Sequence, residues 1–215
     1  IVALAIVYVS NVSVISLRHR KGKYRFDWSI VKKVFSIGLP AAFEQVVIHG
    51  GLILFARTVS GLGTLGYAAH QIGLNINGLS FAPSMAFGVA ATTLVGQSLG
   101  ADDEEKAQKY ADIVHRIAVL VACSVGLMLI FFSHPIARLY TNDLTVAAMA
   151  GTVLKIMSLA QPSMSTQLSL AGALRGAGDT MYPLYASIFG IWIFRVLVAY
   201  LFVSIFGWGL IGAWV

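Results

Sequence analysis

Charged residues are scarce in this sequence. They make up 11% of its 215 residues, whereas soluble domains carry roughly 25%, and there is no Asp, Glu, Lys or Arg from Thr58 to Ala101. A chain with so few charges cannot cover a globule with water-compatible surface. Together with 58% hydrophobic residues and a mean hydropathy of +0.80, this scarcity excludes a soluble domain and indicates a protein whose solvent is the bilayer.

Cysteine and catalytic motifs are nearly absent as well. Cys123 is the only cysteine, which excludes an intrachain disulfide and a CxxC metal or redox motif. The sequence contains no GxSxG, HExxH or Walker A motif, so we expect neither an enzyme nor a cofactor. The net charge of +6 comes from basic residues that flank apolar runs, which indicates membrane orientation and not a nucleic-acid partner.

Apolar runs long enough to cross a bilayer as helices recur along the chain, and they predict an all-α, polytopic transmembrane helix bundle. Residues 1–17 are interpreted as the end of one span, residues 18–38 as a basic linker and an interfacial helix, and residues 39–215 as the remaining spans. Because the chain begins at Ile1 and both of its ends are apolar, we expect a piece of a longer protein. The further spans are predicted near 39–60, 67–99, 117–132, 144–171 and 184–206, with a truncated one after these.

Lys and Arg are concentrated in alternate connections. The connections at 18–38, 100–116 and 172–180 hold 11 of the 15 basic residues, and the polar turn predicted at 134–143 holds one. The positive-inside rule therefore places the first three connections in the cytoplasm. Arg175 and Asp179 are four residues apart in the last of them, which suggests a local ion pair.

Glu44 is the one acid inside a predicted span. A carboxylate at the centre of a membrane helix costs about 2.5–3.5 kcal/mol on insertion scales, and such acids are functional by default. Glu44 lies roughly 9 Å beyond Gly38 along the helix, and Pro40 suits a helix start or a kink there. Glu44 would either face a polar cavity and bind H⁺ or Na⁺, or stay protonated and hydrogen-bond to a neighbouring helix.

Other polar side chains recur at helical spacing inside the spans. Such a stripe lines either a cavity or a seam between helices, and both alternatives remain open. The stripe in the span 67–99 consists of Gln71, Asn75 and Gly78, and we expect His70 to point away from it, near the outer turn. The stripe in the span 144–171 consists of Ser158, Gln161, Ser165, Ser169 and Gly172. The candidate cavity-lining residues are Gln45, His49, Gln71, Asn75, Gln161 and Gln167.

Four motifs, GLPAAFEQ, AAHQIGL, LVGQSLGA and GALRGAGDTMYP, follow one another along the chain. In order and spacing they resemble those of the multidrug and toxic compound extrusion (MATE) transporters. The resemblance covers nearly the whole chain. It implies a fold of twelve helices in two six-helix lobes, of which this chain is the C-terminal lobe, from the end of helix six to the start of helix twelve. The N-terminal lobe of the same protein is the implied partner.

The resemblance also implies a function. Such proteins exchange H⁺ or Na⁺ for cationic, amphiphilic drugs by alternating access across the plasma membrane. Many of them use an acid on helix seven, and Glu44 occupies that place. The sodium-coupled branch has a second acid on helix ten, where this chain has Met164, with Gln167 nearby, so any Na⁺ in this lobe would be bound at Glu44.

Two alternative functions remain open. The first is a lipid-linked oligosaccharide flippase of the same superfamily, for which Lys155 and Arg195 are candidate cations inside the membrane. The second belongs to a different class, a membrane scaffold or an intramembrane enzyme. A scaffold would tolerate Glu44→Leu, and an enzyme would need a catalytic pair on facing helices, which Glu44 and His49 on one helix do not supply.

Overall fold

The computed structural model describes residues 27–61, 63–205 and 207–214. These residues form helices and short connections without any strand, which confirms the all-α class. They belong to two units, one ending at Phe35 and one beginning at Ser36. The predictions for residues 1–17 and for the basic linker up to residue 26 lie outside the described residues.

Four long helices are followed by a more irregular segment. Helix α5 continues into a π-helical stretch (Phe189–Leu197), one α-turn (α6, Val198–Tyr200) and a second π-helical stretch (Leu201–Ile205), before α7 (Gly209–Trp214). Five helices of the described residues are long and apolar enough to cross a membrane, and the fifth of them is Met181–Val203. The helices before this segment are α1 (Trp28–Ser60), α2 (Gly63–Gly100), α3 (Glu104–Tyr140), α4 (Leu144–Gly176) and α5 (Met181–Ile188).

Asp27 caps the start of α1. Its Oδ1 accepts hydrogen bonds from the Ser29 hydroxyl at 2.7 Å and from the Ser29 backbone N–H at 2.9 Å. These two bonds favour the carboxylate and lower the pKa of Asp27 below its usual value of 3.8. The helix that begins here continues to Ser60 and contains Pro40, so the predicted interfacial helix and the following span form one helix.

The polar turn predicted at 134–143 is wrong over most of its length. Helix α3 continues through Pro135 to Tyr140, because Ala137 is fully buried and packing of this turn outweighs the local polarity. At the other end of α3, the predicted acidic start is confirmed, since the Asp103 side chain accepts from the Lys106 N–H at 3.0 Å. The Asp143 side chain caps α4 in the same way.

Helix α4 packs against both α2 and α3 and is the most buried of the five spans. Gly172 contacts the backbone of Gly88, and a Cβ atom on Gly176 would lie 2.6 Å from the Thr92 carbonyl oxygen. The Thr92 hydroxyl donates to the Gly172 carbonyl at 2.8 Å. Small residues thus let two backbones meet, as is usual in membrane bundles, and this contact fixes the position of the end of α4.

Candidate functional site

Glu44 lies in a buried ion pair. Only 3% of its surface is exposed. Arg175 Nη2 donates to both carboxylate oxygens at 2.8 Å, and the Ser187 hydroxyl donates to Oε1 at 2.8 Å. We call Glu44, Arg175 and Ser187 the paired cluster. It joins three helices, α1, α4 and α5, and contains the only ion pair among the described residues.

The connection between α4 and α5 positions this cluster. Arg175 lies in the last turn of α4, and its side chain is 31% exposed. The predicted pairing of Arg175 with Asp179 is wrong. Asp179 accepts instead from the backbone N–H groups of Met181 and Tyr182, at 3.0 and 3.3 Å, and so caps the start of α5. The Asp179 carboxylate is therefore occupied, and Arg175 turns to Glu44.

Further contacts hold α1 beside the segment that follows α5. Trp192 Nε1 donates to the Val47 carbonyl at 3.3 Å, and Gly51 contacts the Ile191 side chain. Because Glu44 contacts Ser187, and Phe55, about three turns further along α1, contacts Arg195, α1 and this segment run parallel. Glu44 is thereby fixed beside Ser187, and residues two to three turns further along α1 lie beside the π-helical stretch.

The charge of Glu44 is balanced within the protein. Its carboxylate receives three hydrogen bonds from two partners, which is the arrangement that makes a buried carboxylate tolerable in an apolar surrounding. Elsewhere in the described part of the chain, no three His, Cys, Asp or Glu side chains lie close enough together to hold a metal ion. Because the Arg175 guanidinium already contacts both carboxylate oxygens of Glu44, a cation that binds at Glu44 must compete with it.

The structure separates the other predicted site residues into two groups. Gln161 is 1% exposed and its Nε2 donates to the Ser80 hydroxyl at 3.0 Å, so it lies in the seam between α4 and α2. The other members of its stripe are also buried. The remaining candidates are exposed in this lobe: Gln45, His49, Gln71, Asn75 and Gln167.

Two of these exposed candidates use neighbours on their own helix. His49 Nδ1 lies 2.9 Å from the Gln45 carbonyl oxygen, and Asn75 Nδ2 donates to the Gln71 carbonyl at 2.9 Å. Within the described residues, the side-chain partners of Glu44 are Arg175 and Ser187 and none of these four residues. Their role as cavity-lining residues stays a prediction.

A second cluster was not predicted. His70 is 1% exposed, with its ring centroid 5.5 Å from that of Phe55 and 5.4 Å from that of Trp214. The Arg195 guanidinium lies 4.8 Å from the Phe55 centroid and 5.8 Å from the Trp214 centroid. We call Phe55, His70, Arg195 and Trp214 the aromatic cluster. His70 does point away from the exposed residues Gln71, Asn75 and Gly78 of the stripe, and its ring is buried among aromatic side chains.

A sequence signal for His70 did exist. Gly66 and Gly73 are spaced four residues before and three residues after it, which puts all three on one face of α2. That face is buried, and the small residues allow the close packing that encloses the imidazole.

A cavity of about 240 Å³ opens beside the aromatic cluster. It lies between α2, α4, the π-helical stretch and α7. Its polar side chains are those of Asn77 and Arg195 together with the indole of Trp214, and its apolar wall includes Met157, Met164 and Phe194. The position where the sodium-coupled branch would have an acid is thus occupied by a methionine that lines the same cavity as an arginine.

Curated proteins similar to this chain carry related names. A probable multidrug resistance protein NorM of Thermotoga maritima is 34% identical over 196 residues, which are 91% of this chain and 42% of that protein. A probable NorM of Pasteurella multocida is 36% identical, covering 81% and 38%. The multidrug resistance protein MdtK of Edwardsiella ictaluri is 32% identical, also covering 81% and 38%. The chain therefore spans about two fifths of the length of the curated relatives it matches.

Solved structures share the fold. A MATE crystallised in complex with MaD3S superposes with a TM-score of 0.85 at 20% identity, covering 97% of this chain and 46% of that one. A MOP superfamily transporter of Pyrococcus furiosus superposes with a TM-score of 0.80 at 19% identity, covering 85% and 40%. The model of the MatE family matches residues 40–201, which contain the paired cluster and most of the aromatic cluster. The chain belongs to the MatE family of multidrug and toxic compound extrusion (MATE) membrane transporters.

Proposed function

We propose that the full-length protein is an antiporter of the plasma membrane that exports organic cations, drugs among them, in exchange for H⁺ or Na⁺ by alternating access. Family membership and the multidrug resistance names of the relatives support the transport class. The observation that carries the coupling is Glu44, which lies within α1, is 3% exposed and is the only buried acid among the described residues. An acid within a membrane helix costs free energy, and such residues are therefore functional by default.

Competition between Arg175 and a cation for Glu44 can couple ion binding to substrate transport. One carboxylate cannot hold the guanidinium and a second cation equally well, so a proton, Na⁺ or a cationic substrate at Glu44 weakens the 2.8 Å contact. Arg175 lies in the last turn of α4 and is 31% exposed, so its side chain can withdraw toward water. The occupied and the ion-paired forms of Glu44 would then be the two states that alternate.

The exposed polar residues fit a second lobe. Amide and imidazole groups facing lipid are costly, so we place Gln45, His49, Gln71, Asn75 and Gln167 toward the cavity between this lobe and the N-terminal lobe. The N-terminal lobe is thus the partner that completes the substrate site. The connections at 100–116 and 172–180, with the linker at 18–38, would face the cytoplasm because they hold most of the basic residues.

The test uses the full-length protein in proteoliposomes, with either a pH gradient or a Na⁺ gradient imposed. Glu44→Gln should abolish the efflux of a cationic dye while the protein still folds, and the gradient that drives the wild type identifies the coupling ion. Glu105→Gln is the matched control, because Glu105 is an exposed acid in the first turn of α3 and its loss should leave efflux unchanged. Efflux that survives Glu44→Gln would refute the assignment.

A flippase for lipid-linked oligosaccharides is the second candidate. Arg195 in the cavity wall favours it, because a pyrophosphate needs cations. Lys155, the other candidate cation, is exposed and lies outside that wall. Translocation of a lipid-linked pyrophosphate by the reconstituted protein, without any cation gradient, would favour this candidate over the antiporter.

A further inference from the structure

The cavity beside the aromatic cluster contains a positive charge without a counter-ion. Arg195 is partly buried in the π-helical stretch, and among the described residues its side chain makes no hydrogen bond and no ion pair. Its guanidinium lies over the rings of Phe55 and Trp214. Ring faces stabilise a cation by about 0.5–2 kcal/mol, but they leave its N–H donors without acceptors.

No acid of this chain is available to Arg195. The chain has nine Asp and Glu residues, all in the described part, and Glu44, the only buried one, is bound to Arg175. Glu44 and Phe55 are also eleven residues apart on α1, which is about 16 Å along the helix. The other acids lie before α1, between helices or near the start of α3: Asp27, Asp102, Asp103, Glu104, Glu105, Asp112, Asp143 and Asp179.

Two neighbours of Arg195 also lack partners. The indole Nε1 of Trp214 is buried and makes no hydrogen bond within the described structure, and the same is true of both ring nitrogens of His70. A buried polar group without a partner costs about 1–3 kcal/mol. Arg195 and Trp214 are donors only, so what the cavity needs is an acceptor, and a charged one.

The walls of the cavity restrict the rest of the ligand. Met157, Met164 and Phe194 offer apolar surface against which an aromatic or aliphatic body can pack. A cation entering the same space would meet the charge of Arg195, which already covers the ring faces that attract cations. Asn77 lines the cavity as well and can donate a further hydrogen bond.

We propose that this cavity binds the anionic group of an amphiphile, a carboxylate, sulfonate or phosphate on an apolar body, with the Arg195 guanidinium and the Trp214 Nε1–H as its donors. The site is distinct from the paired cluster and has the opposite polarity. It does not depend on Glu44 being the coupling acid. The same chemistry is offered by a soluble amphiphilic anion and by an anionic phospholipid headgroup.

The experiment measures equilibrium binding of 2-naphthoate to the full-length protein in phosphatidylcholine nanodiscs. Wild type should bind 2-naphthoate at least tenfold more tightly than the matched cation, 2-naphthylmethylammonium. Arg195→Met should weaken 2-naphthoate binding at least tenfold, Arg195→Lys should retain part of the affinity, and Trp214→Phe should weaken it several-fold. Arg116→Met is the matched control, because Arg116 is an exposed arginine on α3, and it should bind like wild type.

Three results would overturn the site. These are equal binding by wild type and Arg195→Met, binding of the matched cation as tight as that of 2-naphthoate, and no binding to the wild type because an acid outside this chain pairs with Arg195. If Arg195→Met fails to fold, the affinities of Arg195→Lys and Trp214→Phe for 2-naphthoate are compared with that of wild type. Affinities equal to that of wild type in both variants would overturn the site. Glu44→Gln should leave 2-naphthoate binding intact, so a failure of the coupling proposal and a failure of this site give different results.

Nanodiscs that contain phosphatidylglycerol distinguish the two sources of the anion. Competition by this lipid for 2-naphthoate supports the site with a headgroup as its occupant. Undiminished binding supports the site with a soluble amphiphile as its occupant.

Discussion

Arg175 and Arg195 lie in the same lobe and in opposite circumstances. Arg175 donates to a carboxylate at two 2.8 Å contacts, while Arg195 lies over two aromatic rings with no acid in reach. The described residues include one buried acid, Glu44, and it pairs with one of the two arginines. The Arg175 charge is balanced within this chain, whereas the Arg195 charge needs an anionic partner from outside it. The predictions below test whether this difference is real.

The largest loss of stability is expected from Arg175→Met. It leaves the Glu44 carboxylate, which is 3% exposed, with Ser187 as its one remaining partner. The free energy of unfolding of the full-length protein in mixed micelles should fall by about 3 kcal/mol, the lower end of the range for broken buried pairs, because the Arg175 side chain is 31% exposed. Arg116→Met serves as the control, and an equal effect of the two would contradict a paired Glu44.

Gly172→Ala should disturb the paired cluster indirectly. Gly172 lies one turn before Arg175 and contacts the backbone of Gly88, so an added methyl group pushes α4 from α2 and should cost about 1–3 kcal/mol. The control is Gly78→Ala on α2, where a Cβ atom meets nothing within 4 Å and the change should stay within about 1 kcal/mol. Chemical unfolding of both variants checks this, and equal stabilities would mean that the seam is loose.

Ser187→Ala should have a smaller effect on the same cluster. It removes one hydrogen bond to a charged acceptor at 2.8 Å, worth about 1–2 kcal/mol, and leaves the pair with Arg175 in place. Ser124→Ala on α3 is the control, because the exposed Ser124 hydroxyl bonds only to the Leu120 carbonyl of its own helix. Unfolding midpoints that agree for the two variants would place Ser187 outside the cluster.

Arg195→Met should change stability least, by less than about 1 kcal/mol. Only the contacts with the Phe55 and Trp214 rings are lost, and no buried carboxylate is left behind. The free energy of unfolding of the full-length protein in mixed micelles checks this. A loss as large as that of Arg175→Met would show that Arg195 has a strong partner in the full-length protein, which would remove the contrast between the two arginines.

The sequence predicted the helices, the family and the position of Glu44 inside a span better than it predicted contacts. Apolar runs about 20 residues long identify spans because the bilayer has a fixed thickness, and a lone acid within a span is conspicuous by its cost. The end of α3 was missed because local polarity at His134 and Pro135 gave no information about the burial of Ala137.

The partner of Glu44 could not be read from the sequence. Glu44 and Arg175 are 131 positions apart, and other basic residues, among them Arg57, Lys155 and Arg195, also lie in or at the ends of spans. The choice among them depends on the register of α1 against α5 and on Asp179 being occupied by the start of α5. A helical periodicity says which face a residue occupies, but it does not say which helix that face meets.

The coupling free energy between Glu44 and each arginine tests the central contrast most directly. It is obtained from double-mutant cycles in the full-length protein, with Glu44→Gln combined with Arg175→Met in one cycle and with Arg195→Met in the other. Paired residues should couple by about 1–3 kcal/mol, and Glu44 and Arg195 by no more than about 0.5 kcal/mol. Equal coupling of Glu44 to both arginines, or stronger coupling to Arg195, would contradict the account.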